Sequence, residues 1–95
     1  MKSFRLLDGL TDSRGVTHRE GILRPATAAD EIRALQDFRL HLWPERFLEV
    51  VLPSVLVRLG GLEAMDAGLV QRLSARDRDL LEGLYCEVNG YAERT

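Results

Sequence analysis

The spacing of apolar and polar residues changes its period once along the chain, near residue 27. Over residues 4–11 and 16–24 it alternates loosely on either side of Asp12-Ser13-Arg14-Gly15, where Asp12 opens a turn and Gly15 can take a positive φ. This predicts a β-hairpin over residues 1–25, with Pro25 stopping the second strand. From Thr27 onward the period is helical. Thr27 is placed to cap a helix whose first turn holds Asp30, a carboxylate favoured there by the helix dipole. That helix is predicted over 28–42, with Ile32, Leu35, Phe38 and Leu42 along one face and Arg33, Gln36 and Asp37 pointing away.

Trp43-Pro44 reads as a corner, since proline disfavours helical geometry in the residue before it and suits the first position of a new helix. A second helix is predicted over 47–59. It is apolar on nearly every side and needs cover on nearly every side. Pro53 cannot donate to the carbonyl of Glu49, which predicts a kink, and Gly60-Gly61 supplies the stop. A short third helix over 67–73 turns Leu69, Val70 and Leu73 inward. Ser74 then caps a last helix in which Leu80, Leu81, Leu84, Tyr85 and Val88 recur with a 3.6 period, ended by Asn89-Gly90. The predicted fold class is α+β, an N-terminal β-hairpin followed by three to four packed α-helices, with the helical part over residues 27–91 of a single domain.

Composition agrees with one small core. At 95 residues and 45% hydrophobic, the chain can bury one core and not two. Seventeen leucines against three Phe, two Tyr and one Trp favour a helical interior over a sheet sandwich. The net charge of -2 gives no bulk attraction for nucleic acid or an anionic membrane. The apolar run over 47–59 is too short to span a bilayer and carries Glu49, Pro53 and Arg58. Asp8 and Gly9 interrupt the opening before any apolar run of signal-peptide length, and a lone cysteine, Cys86, fits a reducing compartment. The expected location is therefore cytoplasmic.

Residues with chemical potential are few. His18 and His41 have no metal-ligand spacing to each other or to Cys86. His18 reads as a hairpin-surface residue, and Cys86, between Tyr85 and Glu87, as a small structural residue. Gly60-Gly61 lacks the Gly-Lys-Ser/Thr of a phosphate loop, and Asp30, Glu31, Asp77 and Asp79 occupy first-turn positions that the helix dipole explains. No enzyme, metal or cofactor is expected. Residues 73–81 are locally similar to the opening of a bacterial helix-turn-helix, but no recognition helix follows Asn89-Gly90.

Two groups remain as candidate sites. Phe47, Val51 and Val55 form one stripe of the second helix, a candidate surface for self-association or for an amphipathic partner helix. Arg24, Pro25 and Thr27 form a candidate architectural joint, in which Arg24 pairs with Asp30 or Glu31 or faces a partner.

The segment from Gly15 to Ile32 resembles the strand-to-helix signature of small tail assembly proteins of tailed, Mu-like bacteriophages and prophages. Leu23-Arg24-Pro25, the Thr27-capped opening Ala28-Ala29-Asp30-Glu31, the apolar helix ending in Leu59-Gly60 and the later Asp79-Leu80-Leu81 stand in that family's order, covering about residues 4–91. The resemblance implies a tail assembly chaperone, a non-enzymatic protein of the bacterial host cytoplasm that binds the tape-measure protein and keeps it soluble while the tail forms. A structural baseplate or tail component of a contractile system, and a regulatory DNA-contacting domain, are the alternatives.

Overall fold

The computed structural model describes residues 1–62 and 67–91. Strand β1 (Lys2–Thr11) and strand β2 (Thr17–Leu23) form the hairpin. Its turn is built by Asp12, whose Oδ1 accepts the N–H groups of Arg14 and Val16 at 2.8 and 3.0 Å, while Gly15 takes φ +82°. The antiparallel ladder runs from Lys2↔Leu23 to Arg5↔Glu20 and resumes at Leu10↔His18 and Thr11↔Thr17. Between the two stretches, residues 6–9 of β1 lie opposite the single residue Arg19, so the strand makes a long excursion with Leu6 and Leu10 buried at its ends.

The helix predicted over 28–42 is two helices. Helix α1 (Ala28–Leu35) ends where Asp37 takes extended backbone and accepts the Arg39 N–H at 2.9 Å, capping helix α2 (Phe38–Leu42). A side-chain oxygen that satisfies a backbone donor locally competes with continuing the helix. A 3-10 turn (Pro44–Arg46) follows Trp43 and leads into helix α3 (Phe47–Val55).

The helix predicted over 47–59 stops at Val55. Leu56–Leu59 is instead a third strand, β3, antiparallel to β2, giving the sheet order β1-β2-β3 and placing a strand inside the region read as helical. Pro53 gives the helix no donor near its end, and the Arg24 N–H takes the Val55 carbonyl at 3.0 Å, leading the chain alongside β2. A bulge at Val57, between the pairs Leu23↔Leu56 and Ile22↔Arg58, turns both Leu56 and Leu59 inward.

Helix α4 (Ala67–Arg72) and helix α5 (Ala75–Asn89) complete the fold, the latter capped by Ser74 and closed by Gly90 at φ +73°. The core joins Leu6, Leu10 and Leu23 of the sheet to Val51, Leu52 and Val55 of α3, with Leu69, Leu81 and Tyr85 from the last two helices. The molecule is thus an α+β domain with α3 at its centre. Among the described residues, no helix is long and apolar enough to cross a membrane.

Candidate functional site

The turn from β2 into α1 is organised by one carboxylate. Thr27 Oγ1 accepts the Asp30 N–H at 3.1 Å, and Asp30 Oδ2 accepts the Thr27 N–H at 2.8 Å, a reciprocal cap. Arg24 forks onto Asp30 at 2.7 and 3.2 Å and donates to the carbonyls of Pro25 and Ser54. Asn89 adds a link to α5 by accepting the Ala26 N–H at 2.8 Å. Arg24, Pro25 and Thr27 therefore meet at one point, and Asp30, only 3% exposed, is what they meet around.

These pairs carry a pH dependence. The Arg24 guanidinium holds the Asp30 carboxyl far below its ordinary range, while Arg76 holds Asp8, and Arg39 holds Asp37, at about 2. A carboxyl depressed in the folded state stabilises the fold above its unfolded value and loses that contribution as pH falls through the folded one. The thermal midpoint is therefore expected to hold down to about pH 5 and to fall between roughly pH 4 and 2. Circular dichroism melts across that range check this, and a midpoint that rises on acidification would contradict it.

Anchoring Asp30 inward sets the rotation of α1. Four residues on, Ala34 faces the interior, and the large apolar residues face the solvent. The face expected to be internal is consequently external: Ile32, Leu35, Phe38 and Leu42 are all exposed, Phe38 at 73%. With Trp43 they account for five of the ten exposed large hydrophobic residues among those described, all within residues 32–43. They fall close together in sequence rather than scattered over the exterior, which makes them a candidate interaction surface.

The stripe expected on α3 is corrected in the opposite sense. Val51 and Val55 are 0% exposed and belong to the core, because the sheet, α1, α4 and α5 between them cover that side of α3. They offer nothing to a partner. Phe47 is half-buried, edge-on to Tyr85 with ring centroids 6.3 Å apart.

Phe47 instead lines a cleft of about 400 Å³ between the 3-10 turn, the start of α3 and α5. Glu31 also lines it, accepting the Tyr91 hydroxyl on both oxygens at 2.7 Å and the Tyr85 hydroxyl at 3.3 Å. Burial, with Glu31 alongside, pushes the Tyr85 hydroxyl up, and Glu31 pushes up that of Tyr91, so both remain donors. Cys86 is half-buried on the same wall.

Two residues have structural roles that their sequence positions do not announce. His18 is mostly buried: its Nδ1 accepts the Gly61 N–H at 3.1 Å, so its Nε2 carries the proton donated to Asp12 at 2.8 Å. Asp77, 0% exposed, accepts the backbone N–H groups of Leu7, Asp8 and Gly9 at 2.6, 3.1 and 2.9 Å, which holds the β1 excursion against the start of α5. Neither arrangement sets a nucleophile beside a base. Among the described residues, no group of three or more His, Cys, Asp or Glu side chains is placed to hold a metal ion. Comparison of the chain with protein-family models, curated proteins and solved structures finds no match.

Proposed function

We propose that this chain is a non-enzymatic binding protein, a phage or prophage tail assembly chaperone that works in the bacterial host cytoplasm. It holds an apolar helical stretch of the tape-measure protein and keeps it soluble while the tail is built. The observation that carries this reading is the outward apolar side of α1 and α2, formed by Ile32, Leu35, Phe38, Leu42 and Trp43. Docking an amphipathic helix against such a surface removes apolar area from water on both partners. The order of the motifs from Leu23-Arg24-Pro25 to Asp79-Leu80-Leu81, which resembles that of tail assembly proteins, supports the tape-measure protein as the partner.

The test is co-expression with a tape-measure protein from the same tail gene cluster. Wild-type protein is expected to keep it soluble and to co-purify with it. Phe38→Asp with Leu42→Asp should reduce the co-purified fraction at least about tenfold while leaving the far-ultraviolet spectrum unchanged. Undiminished capture by that variant would remove α2 from the site. Stoichiometric presence of the chain in finished tails would replace the chaperone with a structural tail component.

A further inference from the structure

The cleft beside the docking face has a chemistry of its own. Its apolar walls come from Pro44, Leu48 and Phe47, and the rings of Tyr85 and Tyr91 stand 6.1 Å apart at 39°. Three carboxylates, Glu31, Glu45 and Glu82, line it against one guanidinium, that of Arg78. The Glu31 charge is held by two hydroxyls rather than by a cation, and neither Glu45 nor Glu82 forms an ion pair among the described residues. The cleft therefore carries uncompensated negative charge between aromatic rings. That combination suits a cation on an aliphatic stem, whose methylenes lie on the apolar walls while its charge meets the carboxylates and the ring faces.

We propose that this cleft receives a lysine or arginine side chain of the bound polypeptide. The inference rests on the reading of α1 and α2 as the docking face and adds the chemistry of what docks there: an amphipathic helix with a basic residue flanking its apolar stripe. The chain runs from Leu42 and Trp43 on that face directly into Pro44 and Glu45 at the cleft, so one helix can engage both. Arg78 disfavours a second cation in the cleft.

Two synthetic amphipathic peptides of equal length, identical in their leucine face and differing only in lysine or glutamate beside it, provide the probe. The lysine peptide is expected to bind at low salt, to shift the ring resonances of Phe47 and Tyr91, and to bind at least about tenfold more tightly than the glutamate peptide. Glu45→Gln with Glu82→Gln, both at exposed positions, should weaken the lysine peptide about tenfold, and Arg78→Gln should strengthen it. Equal affinity for the two peptides, no binding of either, or indifference to these substitutions would overturn the inference. Tape-measure capture that persists through such a result would leave the chaperone reading standing without the cleft.

Discussion

Asp77→Ala is expected to lower the free energy of unfolding by about 3 kcal/mol or more, the largest loss of any single substitution considered for this chain. The carboxylate accepts three successive backbone N–H groups of the β1 excursion, and alanine leaves all three without an acceptor. Hydrogen bonds to a charged acceptor contribute about 1.5–3 kcal/mol each, and the three are not additive because one carboxylate makes them all. For a domain of this size the melting temperature should drop by roughly 12–24 °C. Asp77→Asn preserves the shape but turns an amide N–H₂ toward backbone donors, so it should fall between alanine and wild type. Urea denaturation measures both. A loss under about 1 kcal/mol for Asp77→Ala would mean that the excursion holds its shape without the carboxylate.

Arg24→Ala is the second large effect, at about 2–3 kcal/mol. It leaves a buried carboxylate with only the more distant Arg33, at 3.6 Å, as a cation, and leaves the carbonyls of Pro25 and Ser54 without this donor. The guanidinium is one-third exposed, which keeps the loss toward the lower end of the range for broken buried pairs. Lysine cannot reproduce the fork, so Arg24→Lys should recover only part of the loss. Thr27→Ala, which removes the cap alone, should cost about 1 kcal/mol. Chemical denaturation that ranks Thr27→Ala above Arg24→Ala would show that the cap, and not the ion pair, organises the joint.

The parts of the fold legible in the sequence are those set by short-range backbone chemistry. The Asp12–Gly15 turn, the Thr27 and Ser74 caps and the Gly90 stop each depend on neighbours a few residues away, and the α+β class follows from the change of period between them. Strand β3 was not legible, because Val55, Leu56 and Val57 form a short apolar run, which has no period to separate strand from helix. Val51 and Val55 failed as a surface for a related reason: a helix apolar on nearly every side is the one the rest of the molecule packs against.

For α1 the difficulty was the reverse. Its apolar spacing is clear, but the inward face is chosen by Asp30, a polar residue whose partner Arg24 lies on the preceding segment. A pattern that rewards large apolar residues then assigns the interior to the wrong side. Asp37 could have warned of the helix break, being an aspartate two residues before the Arg39 N–H that it accepts. The acceptor role of Asp77 has no counterpart in side-chain spacing, because its partners are main-chain groups that any residue would supply. The cleft brings together residues from three separate stretches of the chain and is visible only once α5 lies beside the 3-10 turn.

The excursion in β1 also fixes an order of events during synthesis. An isolated hairpin can close within about 1–10 μs of leaving the ribosome, but residues 7–9 find their acceptor in a side chain 68 to 70 positions later. At roughly 5–20 residues per second, that side chain is added roughly 3–14 s after them. Throughout this interval the middle of β1 is hydrated and unpaired between two leucines destined for the core. Strand β1, made before β2 and β3, is among the last elements to be completed, and the nascent chain is open to wrong pairing there until α5 has been made.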